Sequence, residues 1–148
     1  MISYVDTSVI LPALSSNHPL HQPCYDTISA AAKAGVVFTT ALHAFAELYH
    51  HLTKPTKLDI HLATAQVEDL LLNRLPRMLE LVELTHDDYR LAIERCAQAN
   101  LVSAVIYDAL HFQAAIKCGA TTLYTDNTKD FNRLLTPADE LRVTGVRR

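Results

Sequence analysis

Four acidic side chains interrupt otherwise apolar sequence: Asp6 after Ile2-Ser3-Tyr4-Val5, Glu47 within Ala44-Phe45-Ala46-Glu47-Leu48, Asp108 within Val105-Ile106-Tyr107-Asp108-Ala109-Leu110, and Asp126 after Leu123-Tyr124-Thr125. An aspartate in such a run is a poor helix former and is costly to bury as an anion without a cation or donors. If the four converge, each raises the pKa of the others, and a divalent cation resolves the conflict. All-oxygen ligation selects hard ions such as Mg²⁺ or Mn²⁺, which activate water for in-line attack on phosphorus. The chemistry to expect is hydrolysis of a phosphodiester.

Each residue also has a plainer reading. Asp6-Thr7-Ser8 ends a strand and opens a helix, so Asp6 either caps that helix or leaves capping to Thr7 or Ser8 and keeps its own oxygens free. Asp108 can likewise be a cap. The segment Thr125-Asp126-Asn127-Thr128-Lys129-Asp130-Phe131 has turn and N-cap chemistry throughout. Around Glu47, His43, His50 and His51 fall on the same helical face, and imidazole with carboxylate is an ordinary zinc set. The pattern is not H-E-x-x-H, however, and the adjacent His50 and His51 do not easily point at one ion, so solvated histidines are expected.

The elements that must position these groups alternate. Short apolar runs at Ile2 to Val5, Val36 to Phe38, Leu79 to Leu84 and Thr121 to Tyr124 have the length of buried strands. Longer stretches with helical spacing lie at Asp26 to Lys33, Leu42 to Leu52, Leu58 to Leu72, Asp87 to Gln98 and Val102 to Cys118. Alternating strands and helices imply an α/β fold with a mainly parallel sheet covered on both faces. In such sheets the functional crevice lies beyond the carboxyl ends of the strands, where Asp6 and Asp126 both fall.

The chain has 148 residues, 49% of them apolar, with a formal charge of -3 and a mean hydropathy of +0.08. That fits one globular domain over residues 1–148 and excludes a disordered chain. Without a signal-like N-terminus or an apolar run of roughly 18 residues, a cytoplasmic protein with no membrane association is expected. Cys24, Cys96 and Cys118 form no C-x-x-C pair and read as reduced thiols. A pI of 6.2 excludes a uniformly basic nucleic-acid binder but not a nuclease, whose clustered carboxylates lower the pI.

The segments Tyr4-Val5-Asp6-Thr7-Ser8, Ala46-Glu47-Leu48, Tyr107-Asp108-Ala109-Leu110-His111 and Leu123-Tyr124-Thr125-Asp126-Asn127-Thr128-Lys129-Asp130-Phe131 resemble, in order and approximate spacing, the motifs of PIN-domain proteins, and within them VapC-type toxins. The resemblance covers nearly the whole chain. It implies a three-layer PIN-like domain with a central sheet of about four to five strands flanked by helices. It also implies a Mg²⁺- or Mn²⁺-dependent endoribonuclease, a homodimer, and a cognate antitoxin as partner. Asp6, Glu47 and Asp108 match the first three acids. Many relatives place the fourth at the position of Asn127, so the fourth ligand is Asp126, the Asn127 amide oxygen, Asp130, or absent; Asp126 is the expectation.

Lys54, Lys57, Lys129, Arg133 and Arg147-Arg148 are candidate contacts to the RNA substrate, and residues 53–76 a candidate arm for an antitoxin or a second protomer. Two other readings compete. One is a PIN-like RNA- or protein-binding module that has lost turnover; the other is a phosphoaspartate enzyme built on Asp6, which Ser8 disfavours because such phosphatases place a second aspartate there.

Overall fold

In the computed structural model, residues 1–55 and 62–146 are described. Lys57, Arg147, Arg148 and the start of the helix expected from Leu58 lie outside them. Five strands, β1 (Ile2–Val5), β2 (Val37–Ala41), β3 (Glu80–Val82), β4 (Thr122–Thr125) and β5 (Arg142–Gly145), form one parallel sheet in the order β3-β2-β1-β4-β5. Around it lie α1 (Thr7–Leu14), α2 (His21–Lys33), α3 (Ala44–Thr53), α4 (Thr64–Asp69), α5 (His86–Gln98), α6 (Val105–Lys117) and α7 (Thr128–Leu134). The expected α/β class and parallel sheet are found. No helix among the described residues is long and apolar enough to cross a membrane.

Alternation along the strands divides the core in two. Tyr4 and Leu123 face one side, packed with Phe112 and Ala109 of α6, Ala92 of α5 and Phe131 of α7. Val5 and Phe38 face the other, packed with Val9 and Ile10 of α1, Leu48 of α3 and Val67 of α4. Full burial of a side chain as large as Phe112 or Leu48 stabilises the fold by about 1.5–3 kcal/mol.

From β1 the chain steps outward to β2 and β3, then returns through α5 and α6 to β4 on the other side of β1. The connections after β1 and β4 therefore leave on opposite faces, α1 into one core and α7 into the other. A crevice opens at this switch point, beyond the paired ends Val5 and Tyr124.

The structure corrects several boundaries. Helix α6 begins at Val105 rather than Val102 because Ser103 has φ of 61°, a left-handed conformation that ends a right-handed helix. Helix α2 begins at His21, with Pro23 in its first turn where no N–H is needed. The stretch expected to be helical up to Leu72 instead passes from α4 into a π-turn at Leu70–Arg74. Strand β5, an edge strand with no buried residue, has no apolar run to betray it.

Candidate active site

Asp6 follows β1 directly, and its backbone carbonyl accepts the first helical bonds of α1 from Val9 and Ile10. Its side chain makes no capping bond. Instead Ser8 Oγ donates to Oδ1 at 2.6 Å and Thr125 Oγ1, from the end of β4, donates to Oδ2 at 2.9 Å. The carboxylate is thus pinned across the switch point rather than consumed by its own helix. It is 4% exposed, and burial pushes its pKa up, against the field of His111 and the two hydroxyl donors.

Asp108 lies in the first turn of α6, whose N-cap is Ala104, so it is not a cap either. Its pKa is raised to about 6, first by burial and then by the charge of Asp6, with Asp130 and Glu47 adding to the effect. Among the described residues no lysine or arginine pairs with Asp6 or Asp108. The first turn of α6 offers partial positive charge to Asp108, a weak compensation compared with a full cation.

Glu47 occupies the first turn of α3. His111 Nε2 lies 2.8 Å from Glu47 Oε1, while His111 Nδ1 is 2.6 Å from the Tyr4 hydroxyl, which accepts from the Ala41 N–H at 2.9 Å. Because an ionised Glu47 only accepts, Nε2 carries the proton, and in the neutral ring Nδ1 accepts from Tyr4. The carboxylate is therefore tied to the sheet core through two buried side chains. Burial would raise the pKa of Glu47, but the bond from His111 and the fields of His111 and His43 bring it below the usual value.

The fourth motif has a phase that sequence alone does not reveal. Thr125 points inward and is buried, Asp126 is exposed, and Asn127 turns inward again. Asn127 Nδ2 donates to Asp108 Oδ2 at 3.1 Å and to Asp130 Oδ2 at 3.0 Å. Asp130 also pairs with Arg133 at 3.2 Å; the Asn127 bond and that guanidinium hold its carboxyl below the usual range.

Two adjoining hollows contain these groups. A cleft of about 910 Å³ is lined by Glu47, Asp108, Asn127, Asp130 and Arg133, with Tyr107 and His50 at its walls. A smaller one of about 200 Å³ is lined by Asp6, Ser8, Glu47, Asp108, His111 and Asn127. The structure brings Asp6, Glu47 and Asp108 together, whereas Asp126 lines neither hollow. Ser8, Thr125 and Asn127 are polar residues that the acid-centred reading gave no role in holding Asp6 and Asp108. His111 stood in a motif without an assigned task; its place three residues after Asp108 in an apolar helix was the available signal.

Oxygen ligands predominate, and Asp6 and Asp108 are buried side by side with raised pKa values, first through burial and then through mutual repulsion, so the residues present fit Mg²⁺ or Mn²⁺. His43, Glu47 and His111 form a different group, with one potential ligand atom from each within 4.8 Å of the others.

Comparison of the sequence with curated proteins gave no match. Among solved structures, the chain is similar in fold to VapBC2 from Rickettsia felis bound to a DNA fragment from its promoter, with 22% identity and a TM-score of 0.69 over 99% of this chain and 100% of that one. It is similar to Mycobacterium tuberculosis VapC20, a Sarcin-Ricin loop cleaving toxin, with 18% identity and a TM-score of 0.67 over 95% and 98% of the two chains. VapBC-1 from nontypeable Haemophilus influenzae matches with 16% identity and a TM-score of 0.66 over 98% of each chain. The sequence model of the PIN domain matches residues 3–134, from within β1 to the end of α7, and with the carboxylates at the switch point of a parallel sheet the chain belongs to the PIN domain family.

Proposed function

We propose that the protein is a metal-dependent endoribonuclease, the toxin of a toxin–antitoxin pair, with Asp6, Glu47 and Asp108 as ligands to Mg²⁺ or Mn²⁺. The observation that carries this reading is the convergence of three carboxylates without a lysine or arginine partner among the described residues, two of them with raised pKa values. Membership of a family whose members are typically nucleases supports it. The likeness in fold to VapBC structures supports a cognate antitoxin as partner. The homodimer and the cytoplasmic location remain part of the same proposal.

When bound, the ion supplies acidification of water and neutralisation of charge on the phosphoryl group. The chain supplies the frame. Ser8 and Thr125 fix both oxygens of Asp6, so its remaining lone pairs keep a set direction. His111 fixes Oε1 of Glu47. Asn127 lines both hollows and donates through Nδ2 to Asp108 and Asp130, which supports it over Asp126 as the fourth ligand once its amide turns to present the oxygen. Arg133, at the wall of the larger cleft, is the described cation best placed to meet an RNA phosphate, with Lys129 and Lys54 further candidates.

Purified wild-type and Asp6→Asn protein are incubated with total RNA in Mg²⁺, in Mn²⁺ and in chelator. Cleavage by the wild type alone, abolished by chelation, is expected. Cleavage that survives chelation, or an active Asp6→Asn protein, contradicts the proposal. Binding of RNA without cleavage in any condition supports the binding-module reading instead.

A further inference from the structure

His43 is an anomaly beside the carboxylates. Both of its ring nitrogens are buried, and neither has a hydrogen-bond partner among the described residues. Its Nε2 lies 3.4 Å from Glu47 Oε1, and its ring centroid is 4.3 Å from that of His111. A buried polar group without a partner costs free energy that folding must offset elsewhere. A second buried polar group lies close by: Thr40 Oγ1 makes no hydrogen bond of good geometry, yet it lies near enough to the Tyr4 hydroxyl to oppose the rise in pKa that burial gives Tyr4.

We propose that His43, Glu47 and His111 bind one zinc-class transition ion, in a site that adjoins the acidic hollow and shares Glu47 and His111 with its lining. A tetrahedral centre with bonds of about 2.0–2.1 Å spaces its ligands roughly 3.4 Å apart, the separation already present between His43 and Glu47. The Glu47–His111 contact of 2.8 Å opens by about half an ångström to match. Two imidazoles and one carboxylate leave the fourth position to water, and such a set favours a borderline ion over Mg²⁺.

The buried neighbours accommodate the change of tautomer. Coordination through His111 Nε2 displaces the proton directed at Glu47, and the neutral ring carries it on Nδ1 instead. Nδ1 then donates to the Tyr4 oxygen, which already accepts from Ala41 N–H. The Tyr4 hydroxyl proton, freed from Nδ1, turns to Thr40 Oγ1 and satisfies it. No net proton is lost; His43 Nε2 and Thr40 Oγ1 gain partners while His43 Nδ1 does not, and His111 Nδ1 is held by the Tyr4 oxygen. This is the outer support that metal-bound histidines ordinarily have. Because Glu47 is common to both sites, the zinc-class ion also withdraws Oε1 from the acidic hollow. That consequence rests on the nuclease reading; the binding itself does not.

Metal-free full-length protein is titrated with Co²⁺ and followed by its visible d–d absorption, then challenged with Zn²⁺ and separately with excess Mg²⁺. The intense bands of a four-coordinate site, displaced by Zn²⁺ but not by Mg²⁺, are expected. His43→Ala lowers Co²⁺ affinity by about a hundredfold and Thr40→Val by about tenfold. Thr40→Val leaves the metal-free melting temperature unchanged or higher, so it tests the site even if His43→Ala fails to fold. Asp108→Asn keeps the bands. Weak six-coordinate bands, bands indifferent to Thr40→Val, or bands lost in Asp108→Asn overturn the site. Failure of RNA cleavage alone leaves the spectroscopic result standing.

Discussion

Asp88 of α5 lies against the end of α6 and Asp108 within its first turn, and their environments are opposite. Asp88, 7% exposed, receives the Thr85 N–H at 2.8 Å, the Thr85 hydroxyl at 3.0 Å, Gln113 at 3.2 Å and the Lys117 ammonium at 2.6 Å. Despite its burial those donors hold its carboxyl well below the usual range. Asp108 receives one amide N–H, from Asn127, faces Asp6, and is raised to about 6. Asp139 resembles Asp88: Arg95 grips it with two bonds of 2.8 and 3.1 Å while stacking over Phe112. An acid that packing has supplied with donors and a cation holds the fold together. On the proposed reading, an acid left in repulsion with other acids is a place for a cation that the chain itself does not provide.

The largest test exchanges the two kinds of acid. Asp108→Asn lowers RNA cleavage by about a hundredfold to a thousandfold, yet the metal-free protein gains about 1 kcal/mol of stability, discounted for the only partly buried position. Asp88→Ala does the reverse. It removes a capping box and the Lys117 pair, lowers stability by roughly 2–3 kcal/mol in chemical denaturation, and leaves cleavage per folded molecule unchanged.

Acid titration separates the two carboxylates further. The contribution of Asp88, whose folded pKa is depressed, is present above the unfolded value and disappears as the pH falls below about 4. Asp108 behaves oppositely. With its folded pKa raised, its contribution is full at low pH and is lost as the pH rises through about 6. Mn²⁺ competes with the proton for that carboxylate. It therefore raises the melting temperature by about 5 °C at pH 7.5 in large excess, and much less at pH 5, as read by differential scanning calorimetry. An equal shift at both values removes the distinction between Asp108 and Asp88.

A smaller effect is expected at Tyr4. Tyr4→Phe unties His111 from Ala41 while keeping the ring in the core, so cleavage falls by about tenfold, with stability lower by about 1 kcal/mol. Steady-state cleavage of a labelled RNA checks it, and an unchanged rate shows that Glu47 needs no such support.

The sheet was readable where burial is two-sided. Ile2 to Val5 and Leu123-Tyr124 are apolar runs broken only by the buried Ser3, because both faces of β1 and β4 are covered. Strand β5 was not, since at the edge of the sheet its residues are half exposed and carry no pattern. Asp6, Glu47 and Asp108 stood out because charge inside an apolar segment has few explanations. The fourth position did not, because whether Asp126 or Asn127 faces the cleft depends on the turn after Thr125, and a single residue of phase reverses the answer. Within the His43–Glu47–His111 group, the His43–Glu47 pair was legible as an i, i+4 spacing, but His111 comes from α6, and no local spacing records its approach to Glu47.

Whether the acids left without a cationic partner hold a divalent ion for RNA cleavage is decided by calorimetric titration of Mn²⁺ into wild-type, Asp108→Asn and Asp88→Asn protein, with RNA cleavage assayed on the same samples. Mn²⁺ binding and cleavage lost together in Asp108→Asn, with both kept in folded Asp88→Asn, are predicted. Unchanged Mn²⁺ affinity in Asp108→Asn, or cleavage that persists when its Mn²⁺ binding is gone, would contradict the account.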